Sequence, residues 1–130
     1  MEIQISTKRN FEFVDITEKV EEIVRRSNVT SGICLVYAPH ATAAIIINEF
    51  EPNLASDFEK LFERLIPRGN YSHNLIDDNA EAHLKSALFD SGKCIPIENG
   101  KLVLGTWQRI IFCEFDGPRS RRINVSIAKG

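Results

Sequence analysis

The sequence predicts an α+β fold, a mainly antiparallel β-sandwich or sheet with about three helices packed on its outside. Segments in which apolar and polar residues alternate outnumber segments of helical periodicity, about eight to three. These strand segments cluster instead of alternating strictly with helices, which favours antiparallel pairing. No linker, repeat or low-complexity tract interrupts the 130 residues, so we expect residues 1–130 to form a single domain.

The amino-terminal half is predicted to contain four strands and two helices. The strands are residues 2–7, 10–14, 31–38 and 41–48, which are rich in alternating apolar or β-branched residues. Between the second and third strands, Ile16, Val20 and Ile23 recur at helical spacing. Pro52 suits the first turn of the second helix, and Pro67 ends it.

The carboxy-terminal half is predicted to contain one helix followed by strands. After an ordered loop at 68–77, Asp78 is a suitable N-cap, and Gly92 closes the helix. The side predicted to be buried consists of Ala80, Leu84, Ala87 and Leu88. The strands that follow are residues 94–97, 101–104, 106–115 and 121–128, with a hairpin turn at Asn99–Gly100.

Composition excludes several classes of protein. A net charge of −2, from 16 Lys+Arg and 18 Asp+Glu, argues against a protein that binds mainly nucleic acid. The longest apolar run, residues 43–47, is far shorter than the roughly 20 residues needed to span a bilayer. No secretory signal begins the chain, and the three cysteines form no C-x-x-C pair. We therefore expect a cytoplasmic protein, with no membrane or nucleic-acid partner, whose cysteines are buried, reduced thiols.

The segment at residues 38–49 carries the first candidate site. If residues 41–48 form a strand, His40, Thr42 and Asn48 share a face with Ala44 and Ile46. Small side chains between polar ones are suited to a pocket floor. An ordinary half-exposed strand explains the pattern equally well, and the two interpretations are left open.

The segment at residues 73–84 carries the second candidate. Asn79 and His83 are four residues apart and share a helix face. All three histidines of the chain lie in these two segments, and imidazoles with a carboxylate are a reasonable divalent-metal set. A hydrogen-bonded core histidine is the alternative, because the spacing matches no local metal motif.

The segment at residues 105–122 carries the third candidate. Its middle is apolar on both faces, as in a central strand, and Trp107 is expected to anchor the core or a subunit interface. Arg119, Arg121 and Arg122 follow a tight turn, where guanidinium groups can bind phosphate or carboxylate oxygens. A solvated turn whose arginines pair with Glu114 and Asp116 is the alternative.

These three segments also resemble those of a known family, the YjbQ-type proteins, often described as secondary thiamine-phosphate synthases. The resemblance covers the whole chain. Its motifs are Ala38-Pro39-His40-Ala41-Thr42, Asn48-Glu49, Asp78-Asn79-Ala80, Ala82-His83-Leu84, Gly105-Thr106-Trp107-Gln108 and Asp116-Gly117-Pro118-Arg119. Ala41 departs from the pattern, since the family commonly has a hydroxyl residue there.

The resemblance implies a homotrimer, with sites that can lie at subunit boundaries. It also implies a weak activity that joins an aminopyrimidine pyrophosphate to a thiazole phosphate. The residues expected to serve catalysis are His40, Thr42, Asn48, Glu49, Asn79 and His83. Those expected to bind substrate are Gln108, Arg119 and Arg121. Those expected to hold a divalent metal, zinc or magnesium, are His40, His73, Asp78 and His83.

Two further functions stay open beside this one. The same residues would serve a metal-assisted hydrolase of another phosphorylated small molecule. A non-catalytic homotrimer that binds a metal or small ligand would also use the two histidine segments. The chain has no glycine-rich phosphate-binding loop of the Walker type, which counts against a strong phosphate-transfer activity.

Overall fold

The computed structural model describes all 130 residues and contains eight strands, three α-helices and one short 3₁₀ helix. The strands are β1 (Glu2–Ser6), β2 (Glu12–Asp15), β3 (Ser31–Tyr37), β4 (Ala43–Asn48), β5 (Gly92–Glu98), β6 (Lys101–Leu102), β7 (Arg109–Glu114) and β8 (Ser120–Lys129). The helices are α1 (Thr17–Ser27), α2 (Pro52–Leu65) and α3 (Ala80–Phe89), and the 3₁₀ helix is Ser72–Leu75. The predicted α+β class is confirmed, as are the numbers of strands and α-helices.

The strands form two antiparallel sheets. The large sheet has the order β1-β8-β3-β5-β6, and the small sheet has the order β2-β7-β4. Asn99 and Gly100 both have positive φ angles of 53° and 75° at the β5–β6 turn, as the Asn-Gly pair predicts. β7 is the central strand of the small sheet, and Ile110 to Glu114 are buried on both of its faces.

Two apolar clusters stabilise this arrangement. The main core lies between the sheets, where Val36 and Ile123 of the large sheet meet Ile45 and Phe112 of the small sheet, and α1 closes one side. A second cluster lies on the other face of the small sheet, beneath α2 and α3, and is centred on Phe62. Both faces of the small sheet are therefore covered.

The outer face of the large sheet has no helix packed on it. Three apolar side chains of β3 alternate on this face, and Ile33, Leu35 and Tyr37 are 49%, 40% and 42% exposed. Their cross-strand neighbours on β5 are Cys94, opposite Leu35, and Pro96, opposite Ile33. An apolar strip therefore runs across the middle of an otherwise polar sheet surface.

Three expectations about local structure were wrong. β4 begins at Ala43, so His40 and Thr42 lie in the preceding turn, and Ala44 is fully buried against the helices and forms no pocket floor. In α3, the leucines at 84 and 88 are 44% and 60% exposed. The N-cap of α3 is Asn79 and not Asp78.

The residues of α3 that face β4 are small because this helix lies close to the small sheet, and Lys85 is its one large buried residue. Ser86 Oγ donates a 2.7 Å hydrogen bond to the carbonyl oxygen of Ala43, in β4. Ala82 and Ser86 fit this narrow gap, whereas a leucine would not, and so the leucines face outward.

Candidate functional site

A cavity of about 690 Å³ opens between the turn before β4 and the adjoining ends of β1 and β8. This volume falls within the range of small-molecule sites. The lining residues are Gln4, Ile5, Ser6, Pro39, His40, Ser120, Arg121 and Arg122. The lining contains two guanidinium groups, an imidazole, two hydroxyls and an amide, but no carboxylate.

His40 is held in this cavity by the backbone of β8. Its Nε2 lies 2.9 Å from the carbonyl oxygen of Arg122 and 3.1 Å from the amide nitrogen of the same residue. Nε2 therefore either donates to the carbonyl or accepts from the amide, depending on the tautomer. Nδ1 has no protein partner in either case. This nitrogen is therefore available to a ligand.

Burial holds the pKa of His40 below its ordinary value. The positive charges of Arg121 and Arg122 act in the same direction, while the hydrogen bond to the Arg122 carbonyl and the charge of Glu114 oppose them. His40 is therefore an uncharged imidazole at neutral pH, which can donate or accept a proton in general acid–base catalysis.

Beneath the cavity, Arg121 forms a buried ion pair with Glu114. Arg121 is 5% exposed and Glu114 is fully buried. Arg121 Nε donates to Glu114 Oε1 at 2.8 Å, and Nη2 donates to Glu114 Oε2 and, at 2.9 Å, to Thr42 Oγ1. Thr7 Oγ1 donates to Glu114 Oε1 at 2.7 Å. This arrangement fixes the guanidinium plane in one orientation.

Arg121 and Arg122 have different surroundings, although both line the cavity. The side chain of Arg121 lies on the inward face of β8 and is almost completely buried, and its Nη1 has no hydrogen-bond partner within the protein. Arg122 lies on the outward, exposed face of β8, and its guanidinium makes no ion pair or hydrogen bond within the protein. The Arg122 guanidinium is therefore the one that is free to bind a ligand.

Burial acts to raise the pKa of Glu114, but the hydrogen bonds from Arg121, Thr7 and the amide of Asp116 outweigh it, and the pKa of this carboxyl lies below its ordinary value. Glu114 is consequently ionised at neutral pH and balances the charge of Arg121.

A second polar cluster lies next to this ion pair. His73 Nε2 is 3.0 Å from Asn79 Oδ1, and Asn79 Nδ2 donates to Asp116 Oδ2 at 2.8 Å. Asp116 Oδ2 also accepts a hydrogen bond from Arg119 Nη2 at 3.0 Å. The Asp116 amide in turn donates to Glu114 Oε2 at 3.1 Å, so one network joins this cluster to the floor of the cavity.

Two of the four predicted metal ligands lie side by side. The rings of His73 and His83 are 4.7 Å apart between centroids, in an edge-to-face arrangement. Asp78 instead forms an ion pair with Arg68 at 2.8 Å, and His40 belongs to the cavity described above. No group of three or more His, Cys, Asp or Glu side chains comes together in a way that would hold a metal ion. The metal site stays a prediction, for which one chain supplies a pair of imidazoles.

Three other predicted site residues lie at the far end of the small sheet. Asn48 pairs with Arg109, whereas Ala43, next to Thr42, pairs with Glu114 at the opposite end of the same two strands. Asn48 and Thr42 are therefore separated by about 20 Å along β4. Asn48 accepts from the amide of Glu49, and Gln108 Oε1 accepts from the amide of Gly105. These contacts are local, and they bring none of the three residues to His40 within one chain.

The cysteines contribute no reactive group to the cavity. Burial raises the pKa of the Cys34 thiol to about 11, so this residue is not a thiolate despite its nearness to His40 in the sequence. Cys113 is fully buried as well, and burial raises its pKa further. Cys94 was expected to be buried, but it is exposed on the outer face of the large sheet.

The expectation that Trp107 anchors the core was also wrong. This residue is 70% exposed in the connection between β6 and β7. Of the two roles expected for Trp107, only that of an anchor at a subunit interface stays open.

Sequence reasoning missed Gln4, Ser6 and Ser120 in the cavity lining, and it named Arg122 only as one of three candidate arginines and Glu114 only as a possible partner for them. One signal was present for Arg122: alternation in a strand places it on the face opposite Arg121, so only one of them can be buried in a two-sheet core. No local pattern indicates that β1 supplies part of the wall, because β1 and β8 are far apart along the chain.

Known proteins were compared with this chain. The family model described as "UPF0047 protein YjbQ-like" matches residues 1–130. A UPF0047 protein of Archaeoglobus fulgidus is 48% identical over 96% of this chain and 98% of its own. The UPF0047 protein YugU of Bacillus subtilis is 42% identical, over 96% of each chain.

Among solved structures, a Sulfolobus solfataricus protein described as a "YbjQ-like protein of unknown function" superposes with a TM-score of 0.97. It is 45% identical, and the match covers 100% of this chain and 96% of that one. None of these descriptions states a reaction, so the contacts within this chain carry the functional argument.

Proposed function

From the premise that the chain belongs to the UPF0047 YjbQ-like family, we propose that it is an enzyme that binds a phosphorylated small molecule in the cavity beside His40. One observation carries the proposal. The lining offers the free guanidinium of Arg122, an unpartnered imidazole nitrogen, an amide and two hydroxyls, without a single carboxylate. Such a set of donors favours an oxyanion and disfavours a cation.

Each of these groups has a distinct part in the proposed site. Arg122 would donate hydrogen bonds to phosphate oxygens. Arg121, held by Thr42 and Glu114 on the inward face of β8, would position this end of the strand. His40 Nδ1 would face the ligand and orient it through a hydrogen bond, since the other ring nitrogen is engaged by the backbone of Arg122. Asn79 and Arg119 would act from the neighbouring cluster through Asp116.

The specific reaction we propose to test first is the one implied by the family resemblance. A thiazole nitrogen would form a bond to the methylene carbon of an aminopyrimidine as the carbon–oxygen bond to pyrophosphate breaks, and the electron pair would leave with pyrophosphate. Magnesium commonly balances the charge of such a leaving group. Because no three ligands converge within one chain, we derive no step through a metal.

A paired experiment tests this function. Wild-type protein, His40→Ala and Arg122→Gln would be assayed for thiamine phosphate formation and, by calorimetry, for binding of inorganic phosphate. We expect Arg122→Gln to weaken phosphate binding about tenfold or more, since a charge-assisted hydrogen bond is worth about 1.5–3 kcal/mol. His40→Ala should lower turnover more than it lowers binding.

The matched control is Lys101→Gln, which removes a cation from the opposite edge of the same sheet and should leave both measurements unchanged. Phosphate binding that is absent in the wild type, or equal in Arg122→Gln and the wild type, would overturn the proposal. If binding follows the expectation but no thiamine phosphate forms, another phosphorylated substrate, such as that of a hydrolase, takes its place.

A second candidate function is a non-catalytic module that binds a metal or small ligand, favoured by the adjacent rings of His73 and His83. Zinc or magnesium would then require further ligands from another copy of the chain or from the bound molecule. The metal content of purified protein, compared with that of His83→Ala and of Lys101→Gln, tests this candidate. Bound metal that disappears only in His83→Ala, with no turnover in any variant, would support it.

We also propose that the protein is a cytoplasmic homotrimer. The three free cysteines suit a reducing compartment. The uncovered apolar strip on the large sheet supports association with further copies of the chain. None of the helices is both long and apolar enough to cross a membrane.

A further inference from the structure

The charges around the cavity almost cancel, although two arginines line it. Arg121 is compensated by Glu114, with which it shares two hydrogen bonds, and His40 is uncharged near neutral pH. Arg122 is therefore the one uncompensated cation in the lining. A compensated guanidinium still donates hydrogen bonds, but it adds little net positive potential.

The groups just outside the lining do not alter this balance. Arg119 is paired with Asp116, with Arg119 Nη2 and Asp116 Oδ2 3.0 Å apart. Glu2, whose carboxylate accepts a hydrogen bond from Gln4 at 3.1 Å, adds a negative charge near the rim of the cavity. No lysine lies among the lining residues.

The available donors match one tetrahedral group. The Arg122 guanidinium, the hydroxyls of Ser6 and Ser120 and the amide of Gln4 share the outward face of β1 and β8, and together they can satisfy the oxygens of one phosphate. A diphosphate brings further oxygens and at least one further negative charge. With one uncompensated cation and no glycine-rich loop, the second phosphoryl group would lose its hydration without gaining equivalent partners.

We infer that the cavity recognises a ligand with a single oxyanion group, such as a phosphate monoester, and discriminates against diphosphates. This inference rests on the proposed function and names its substrate class. In the coupling reaction above, the cavity would accordingly hold the thiazole phosphate, and the aminopyrimidine pyrophosphate would need its cations from elsewhere.

Calorimetry with inorganic phosphate, sulfate and inorganic pyrophosphate tests the inference, at pH 8, constant ionic strength and in the presence of a chelator. We expect phosphate and sulfate to bind, and pyrophosphate to bind no more tightly than phosphate. Pyrophosphate that binds tenfold more tightly than phosphate would overturn the inference while leaving the proposed function standing. Absence of binding by all three anions would instead overturn the proposed function.

Two variants change the charge balance in a known direction. Glu114→Gln leaves Arg121 uncompensated, and Ser120→Lys adds a cation at an exposed position of the lining. Both should raise the affinity for pyrophosphate relative to phosphate by about tenfold, since each adds one positive charge close to the ligand. Ser120→Lys keeps the test decisive if Glu114→Gln fails to fold.

Ser31→Lys provides the matched control for the second variant. Ser31 is an exposed serine at the end of β3, and its neighbour Gly32 pairs with Lys129, at the opposite end of β8 from Ser120. The two serines are therefore about 30 Å apart, well beyond the screening length of about 8–10 Å at ordinary ionic strength. An equal change in the affinity ratio in Ser31→Lys and Ser120→Lys would show that the cavity does not set the selectivity.

Discussion

Glu114 ends the central strand of the small sheet with none of its surface exposed, and its carboxylate accepts hydrogen bonds from Arg121, Thr7 and the amide of Asp116. A buried ion pair need not stabilise a fold relative to an apolar pair, because both charges lose their hydration. Its value here lies in geometry: it immobilises Arg121 and with it the end of β8 that carries Arg122 and Ser120 at the cavity. Removing only one partner leaves the other charge buried and uncompensated.

We therefore predict that Glu114→Gln lowers the free energy of unfolding by about 3 kcal/mol at pH 7. The pKa of Glu114 is lower in the folded protein than its ordinary value of 4.5, so its stabilising contribution is full above about pH 4.5 and is lost as the pH falls through the folded pKa. Urea unfolding at pH 7 and pH 4 should show a smaller loss of stability on acidification in the variant than in the wild type.

Some sensitivity to acid should persist in Glu114→Gln. Burial acts to raise the pKa of Asp15, but hydrogen bonds from Thr17 and Arg109 outweigh this effect. The pKa of Asp15 therefore lies below its ordinary value in the wild type and in the variant. Glu21→Gln, an exposed glutamate on α1, is the matched control and should behave as the wild type does. Equal losses of stability between pH 7 and pH 4 in wild type and Glu114→Gln would contradict the assigned role.

The sequence indicated that the arginines after the turn bind oxyanions or carboxylates, but it did not indicate which arginine is paired and which is free. For the arginine cluster after the tight turn, phosphate binding and a solvated turn paired with Glu114 and Asp116 were both left open. Arg121 and Arg119 form these pairs, but the pair of Arg121 with Glu114 is buried. Which arginine stays free depends on which face of β8 meets the core, and a shift of one residue in the predicted strand exchanges the two.

At the scale of the elements, periodicity located most strands and helices, and failed where the packing distance decides which residue is buried. In α3 the leucines at 84 and 88 have the greater apolar area, yet Ala82 and Ser86 face β4 because only small side chains fit there. Hydrophobic periodicity ranks residues by apolarity and contains no information about this separation. Ala44 was likewise interpreted as part of a pocket floor because of its small side chain, whereas that small side chain fits the narrow space beneath the helices.

A related close approach occurs between β3 and β8. A β-carbon added at Gly32 would lie 2.2 Å from the carbonyl oxygen of Ala128, a distance that requires one strand to move. We predict that Gly32→Ala lowers the free energy of unfolding by about 1–3 kcal/mol, in the range of other overpacked sites. Thermal unfolding followed by circular dichroism measures this change.

Ser31→Ala, at the neighbouring exposed position, is the control and should change stability by less than about 0.5 kcal/mol. If Gly32→Ala unfolds at the temperature of the wild type, the two strands are further apart than described. The consequence would extend to the cavity, because β8 also carries Arg121 and Arg122.

At the scale of the whole molecule, the fold class was predictable because alternation and helical spacing are local signals. The site was predictable only in part, because it is assembled from residues far apart in the chain. His40 and Arg122, joined by a hydrogen bond between Nε2 and the Arg122 backbone, are 82 positions apart. Asn48, Glu49 and Gln108 lie at the other end of the small sheet, so one chain separates residues that the resemblance groups together.

Association of several chains would give these distant residues a second role. A closed ring of three identical chains uses two different surfaces of each chain, one in contact with the other. The strip of Ile33, Leu35 and Tyr37 on the large sheet is one candidate surface. The second is the helical patch formed by Leu75, Ile76, Leu84 and Leu88, whose side chains are 44% to 92% exposed.

We predict that Leu35→Glu and Leu88→Glu, one substitution on each surface, both convert the protein to a monomer of 14.7 kDa. A buried carboxylate in an apolar contact would lose its hydration without a partner, which costs several kcal/mol per site. Light scattering after size-exclusion chromatography measures the mass, which should be about threefold higher for the wild type and for Lys19→Glu, a control on exposed α1. Both leucines are exposed in a single chain, so loss of folding should not accompany dissociation. If only Leu35→Glu dissociates the protein and the wild type has twice the mass of the monomer, the sheet pairs with itself in a twofold dimer, and the trimer is contradicted.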